Sequence, residues 1–252
     1  MKKSITITDV TRMQEGRVCI AGYDDSGNCI RPVLPPPGIL EHTLYARGVP
    51  IVFPFAVVEY EFLEPCTKHP HTEDYRYDPG SVCLIKRLDD KARQAILDQT
   101  LYESVYSIFE QPILTGPGYY VMNGRGPRSL GTVRPLRVIR TAYEKSEDGR
   151  ITYRLGFVDN EGSSYWLAIT DLGWRYYCDR LLEHGFTFEE ISLRQTDVLK
   201  SSLVYLRIGL ARSWVKFPER CYLQITGTYT FPDYLKGKTF ADFVPELNKA
   251  EG

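Results

Sequence analysis

The residues best suited to chemistry lie between positions 111 and 143, in QPILTGPGYYVMNGRGPRSLGTVRPLRVIRTAY. Five arginines, Arg125, Arg128, Arg134, Arg137 and Arg140, stand there without a single acidic residue. Tyr119 and Tyr120 sit side by side in the glycine- and proline-rich first part. Guanidinium groups neutralise phosphates and flat rings stack on bases, so the pattern suits a ligand that carries both. The competing reading is a solvated linker whose arginines pair with acids on the flanking domains. A second group falls at 211–219, ARSWVKFPE, where Arg212, Trp214, Lys216 and Phe217 place a guanidinium, an indole and an ammonium on one loop. The alternative there is a Trp214 that packs inward. Trp166 shares a predicted hairpin with Tyr153, Phe157 and Tyr165, of which alternation lets about half face outward. Arg31 directly precedes Pro32. It faces outward if Ile30 faces inward, unless it pairs with Asp24 or Asp25 across a hairpin.

Other constellations are weaker. Cys66, His69 and His71, followed by Asp74, offer zinc-ligand types in a short span. Pro70 stiffens the middle, and no second Cys or His pair completes a tetrahedral set, so a polar loop without metal is expected. There is no G-x-S-x-G, no P-loop, no G-x-G-x-x-G opening a helix and no H-E-x-x-H. No catalytic residue or cofactor is therefore assigned. Asp24, Asp25 and Asp233 are the carboxylates that an unrecognised nuclease or nucleotide hydrolase would use.

Composition sets the limits. In 252 residues, 31 basic and 32 acidic side chains give a net charge of −1, which excludes a generic basic coat for nucleic acid. Any nucleic-acid contact has to be local. The six cysteines form no C-x-x-C pair and the N-terminus carries no secretion signal, so free thiols in the cytoplasm are expected. No apolar run approaches the ~18 residues that cross a bilayer, and no membrane association is expected.

The elements that must position these residues repeat. Strands are predicted at 4–8, 17–23, 28–34, 51–63 and 81–88, with a short helix at 38–47 and a polar loop at 64–80. Asp89 caps a predicted helix over 90–110, on which Leu97, Leu101, Val105 and Ile108 share a face. After the arginine segment come strands at 133–143, 151–158 and 164–170. A helix from Asp171 to Gly185 follows, with Trp174, Tyr177, Cys178, Leu181 and Leu182 as its apolar stripe. Thr187 and Glu190 then propose a capping box for a further helix to 199. Strands at 202–210 and 220–230 close the series.

Setting Gly27 over Gly162 aligns the halves. Each reads strand, strand, strand, helix, strand, strand, the order of the five-stranded Greek-key barrel called the OB-fold. The expected fold is mainly β with helices: two tandem OB-like barrels, 1–88 and 133–252, joined by a helix and basic loop at 89–132.

Two segments carry a family resemblance. Residues 7–33, ITDVTRMQEGRVCIAGYDDSGNCIRPV, and residues 205–234, YLRIGLARSW…CYLQITGTYTFPDY, resemble the prokaryotic dual OB-fold domain family. The resemblance implies the tandem barrel and a nucleic-acid or nucleotide ligand. The expected function is non-catalytic binding of single-stranded nucleic acid or a nucleotide end. Its expected contacts are Arg31, Tyr119, Tyr120, Arg125, Arg128, Trp166, Arg212, Trp214 and Lys216. The alternatives are a nucleotide sensor or accessory subunit docked on a larger protein complex, and the hydrolase above.

Overall fold

The computed structural model of the chain describes residues 1–245, so the last part of the tail expected within 133–252 lies outside the described residues. Three strands open the chain: β1 (Lys2–Arg12), β2 (Arg17–Tyr23) and β3 (Cys29–Val33). Short pieces follow, β4 (Ile39–Leu40), a 3-10 turn (Glu41–Leu44), β5 (Tyr45–Ala46) and β6 (Val49–Pro50). Next come β7 (Ala56–Pro65), β8 (Asp74–Tyr77) and β9 (Cys83–Arg87). The barrel runs β1-β2-β3-β8-β7 and closes from β7 back onto β1. Its β3–β8 pair is parallel, with Arg31 opposite Asp74, and the other pairs are antiparallel. Along β7, Ala56, Val58, Tyr60 and Phe62 point into the core at every second position, as strand geometry requires.

Two expectations are corrected here. The fifth barrel strand is not 81–88 but β8, inside the stretch that reads as a polar loop. Its four residues, DYRY, are too few and too charged to show a period, yet Tyr77 is buried and Tyr75 packs on the core. The predicted 81–88 strand exists as β9 and pairs with β7. The helix expected at 38–47 shrinks to the single 3-10 turn.

The long connecting helix is also two helices. α1 (Asp90–Gln99) starts at Asp89, whose side chain accepts from Ala92 N at 2.8 Å. It ends where the Thr100 hydroxyl turns back on Ile96 O at 2.9 Å and meets Thr132 Oγ1 at 2.9 Å. The short β10 (Leu101–Tyr102) then pairs with a later strand, and α2 (Val105–Phe109) restarts behind a Ser104 capping box. Leu97, Val105 and Ile108 are buried as their spacing asks, but they belong to different helices.

The basic segment is not a solvated linker. It supplies β11 (Leu114–Thr115), β12 (Tyr119–Met122) and β13 (Leu130–Val133). The second barrel follows with β14 (Arg137–Lys145), β15 (Ile151–Val158), β16 (Ser164–Ile169), α3 (Leu172–Glu183), α4 (Phe188–Lys200), β17 (Leu203–Leu210) and β18 (Arg220–Phe231). The strand expected at 133–143 is split at Pro135 into β13 and β14. β12 pairs with β18, and β13 pairs with β17. As in the first barrel, strand three (β16) runs parallel to strand five (β18). The edge of β14 is covered by α4. Thr141 N donates to Thr196 Oγ1 and Tyr143 N to Ser192 Oγ, both at 2.9 Å, so the helix satisfies amides that a strand would otherwise pair.

α3 buries two faces. Trp174 and Cys178 enter the second core as the stripe predicts. Leu172 and Tyr176 pack instead with the core of the first barrel, where the Tyr176 hydroxyl meets Glu41 Oε1 at 2.5 Å. No helix among the described residues is long and apolar enough to cross a membrane.

Candidate functional site

OB barrels use the outer face of strands two and three, between the loops that join strands one–two and four–five. In the first barrel that face is covered. Ile20 and Ile30 point into the core, so Tyr23, Cys29 and Arg31 point out, and the second barrel lies against them. Arg31 does face outward from its own barrel, but it is only 4% exposed. Its Nε donates to Asp74 Oδ1 at 2.6 Å, and Arg212 Nη2 from the second barrel donates to the other carboxylate oxygen, also at 2.6 Å. Arg31 therefore pairs within its own barrel, with Asp74 rather than Asp24 or Asp25, and Arg212 crosses from the second barrel to the same acid. Arg212 shares that acid while its side chain stays 54% exposed.

The same interface joins the two family-like segments, 7–33 and 205–234. Arg207 on β17 is fully buried. It donates from Nε to Asp9 Oδ2 at 2.9 Å, and from Nη1 to the Tyr23 hydroxyl at 2.6 Å and Thr132 Oγ1 at 2.9 Å. Asp9 also accepts from Thr8 and Thr226. The basic segment is stitched into this junction by Glu73, which accepts from Ser129 N at 2.6 Å and Ser129 Oγ at 2.9 Å.

The second barrel's face is open. Gly156 stands opposite Arg140 on one side and Trp166 on the other, and residues directly opposite share a face. The indole lies over Gly156, where an added Cβ would come within 2.8 Å of Trp166 Cε3. Glycine is needed there for the ring to lie against the sheet. The Arg140 guanidinium sits 4.6 Å from the Trp166 ring centre. Tyr153, Phe157 and Tyr165, the other aromatic residues of the hairpin, are buried in the core.

The rim formed by the four–five loop continues this chemistry. Trp214 is 59% exposed and Val215 92%, so the indole is no plug. Lys216 Nζ lies 5.9 Å from the Trp214 ring. Arg220 lies 4.8 Å from the Tyr120 ring and 4.6 Å from the Phe217 ring, while Tyr120 packs on Tyr222 at 5.7 Å. Arg125 is brought beside this loop because Asn123 N donates to Glu219 O at 2.8 Å and its side-chain amide to Pro218 O at 2.9 Å.

The five central arginines divide. Arg128 donates to Ile108 O and Glu110 Oε1, both at 2.8 Å, which closes the end of α2. It is committed to the fold. Arg125, Arg134, Arg137 and Arg140 are exposed and form no ion pair among the described residues. Tyr119 is likewise structural, its hydroxyl on Ser164 O and its ring 5.2 Å from Tyr165. Arg140, Arg220 and Tyr222 are the site members that the sequence reading did not select. The alternation of half-buried Arg220, Tyr222 and Gln224 with buried Cys221, Leu223 and Ile225 was the available signal.

The remaining candidates have other roles. His69 Nδ1 lies 2.7 Å from Gly126 O, and no group of three or more His, Cys, Asp or Glu among the described residues could hold a metal ion. Asp24 accepts from Lys3 Nζ, Ser26 N and Asn28 N, which fixes the first hairpin turn. Asp233 pairs with the buried Arg93 at 3.0 Å. All six cysteines stand as free thiols.

His71 is buried with neither ring nitrogen bonded. Burial first, then Arg31, Arg212 and Lys68, push its pKa from 6.5 down to about 2. An unfolded chain takes up a proton below that 6.5 that the folded one refuses. Stability is thus complete above the unfolded value and is lost as pH falls, by about 2 kcal/mol at roughly pH 5. His71→Leu should remove this part of the acid slope. Denaturation midpoints compared between neutral and mildly acidic pH check it, and parallel slopes for the two proteins would refute it.

A closed five-stranded barrel, followed by a second unit of the same strand order whose β14 edge is capped by α4 instead of joining β17, each with a parallel pair between strands three and five, define a tandem OB architecture with one face shut and one open. The chain belongs to the dual OB-containing domain family, whose profile matches residues 3–228, from the start of β1 into β18. The match spans both barrels and the segment between them. No curated protein matches the chain in sequence.

Proposed function

We propose that this protein binds single-stranded nucleic acid, or the single-stranded end of a longer one, without transforming it. The second barrel carries the ligand. The observation that supports this most is the Arg140–Trp166 pair on the face of strands two and three, continued at the rim by Arg220, Tyr120, Phe217, Lys216 and Trp214. Cations alternate with rings along an exposed surface, an arrangement that takes phosphates and bases in turn. A net charge of −1 fits a local footprint of this kind. A sensor of a free nucleotide would favour one enclosed pocket over an open track, and the cations of this face are spread over a sheet and a loop.

The test is a titration with a fluorescently labelled oligothymidine. Binding is expected to quench the intrinsic tryptophan emission. Trp166→Ala and Trp214→Ala are each expected to weaken affinity by about 1–3 kcal/mol, the usual effect of removing one base-stacking ring. Unchanged affinity in both folded variants would remove the stacking role. Stabilisation by a mononucleotide without oligonucleotide binding would support the sensor instead.

A further inference from the structure

The two barrels are sealed differently at one end. In the second, α3 and α4 fill the connection between strands three and four and bury Trp174, Cys178, Ile191 and Leu199. In the first, that connection supplies no α-helix, just β4, the 3-10 turn Glu41–Leu44 and the β5–β6 hairpin. A cavity of about 350 Å³ remains, walled by Ile20, Ile39, Val52, Tyr45 and Tyr77. Pockets that hold small ligands begin near this size and combine apolar walls with few polar groups.

Tyr60 also lines the cavity. It is fully buried, and its hydroxyl has no hydrogen-bond partner. Buried hydroxyls are normally paired, because an unpaired one has lost its water without replacement. Burial holds the Tyr60 ionisation well above the usual phenol value and pushes that of Tyr77 up to about 12, so both remain neutral donors. Among the described residues no Lys, Arg, Asp or Glu lines the space, and His42 and Thr43 are its polar residues besides the tyrosines. A cationic ligand would lose its hydration there with no carboxylate to pair with, and an anionic one would find no Lys or Arg.

We propose that this cavity is a binding site for a small uncharged ring compound bearing one hydrogen-bond acceptor. The ring packs among Ile20, Ile39, Val52 and the tyrosine rings, and the acceptor oxygen takes the Tyr60 hydroxyl. This site is separate from the open face of the second barrel and does not depend on what that face binds.

Acetophenone and ethylbenzene make the probe pair, since they share the phenyl ring and two-carbon chain and only the first adds an acceptor oxygen. Titration of the full chain is followed by amide chemical shifts and melting temperature. Acetophenone should perturb Ile20, Val52 and Tyr60 and bind roughly fivefold tighter than ethylbenzene, as one hydrogen bond allows. Tyr60→Phe deletes only the unpaired hydroxyl, so it should fold at least as stably and bind both probes alike. Ile39→Trp, which fills the space, should bind neither; if it fails to fold, the Tyr60→Phe comparison decides alone. Acetophenone binding that survives Tyr60→Phe undiminished, or no binding of either probe at millimolar concentration, would overturn the proposal.

Discussion

Arg207→Ala is expected to lower the unfolding free energy by about 3–5 kcal/mol, the effect of removing one partner from a buried ion pair. The substitution strands Asp9, which is 2% exposed and relies on Arg207 Nε for its charge-assisted bond. It also leaves the Tyr23 hydroxyl and Thr132 Oγ1 without the Nη1 donor. A domain of this size has roughly 5–15 kcal/mol in total, so the loss is a large fraction of it. Asp9→Ala should cost a similar amount for the mirror reason. The double change Asp9→Ala with Arg207→Ala should cost clearly less than the two single changes together, because no charge is then left alone. Urea denaturation of the four proteins measures this cycle. A loss under about 1 kcal/mol for Arg207→Ala, or simple additivity, would show that the pair does not lock the barrels.

That junction also explains what was legible in the sequence. Order and type of the barrel strands could be read because β1, β2, β7 and β15–β18 alternate or run apolar over five or more residues. β8 could not be read, since four polar-looking residues become a strand only when β3 and β7 supply the ladders on either side. The helix break at Thr100 is a tertiary event, fixed by the Thr132 hydroxyl from a distant strand. Arg31 shows the limit most clearly. Alternation gave its direction correctly, and nothing local could tell that a second barrel would arrive there with Arg212. Arg128 looked like its exposed neighbours, yet it closes α2 through the Ile108 and Glu110 contacts. For the open face, the residue types were visible, but the pairing of Arg140 with Trp166 needed the register of three strands.

Oligonucleotide affinity is expected to fall steeply with salt. Four groups, Arg125, Arg140, Lys216 and Arg220, stand exposed or half-exposed along the face and rim, and Arg220 exchanges its neighbour Glu219, 2.8 Å away, for a phosphate. Each phosphate neutralised on a single strand contributes about −0.7 to the slope of log K against log salt, so four contacts predict about −3. Arg140→Ala with Arg220→Ala should bring the slope to about −1.5 and weaken binding similarly on any sequence, because phosphate contacts position a strand without reading it. Arg128→Ala should leave the slope alone and lower stability instead, through the freed carbonyls at the end of α2.

If the second barrel's open face holds the strand, the salt dependence of binding has to change in that double variant. Anisotropy of a labelled oligothymidine, titrated between about 20 and 200 mM salt, should give native and variant slopes that differ by about 1.4. A slope that the Arg140→Ala, Arg220→Ala protein shares with the native chain would put the strand elsewhere than on this face, and no binding to either at the lowest salt would remove the nucleic-acid ligand.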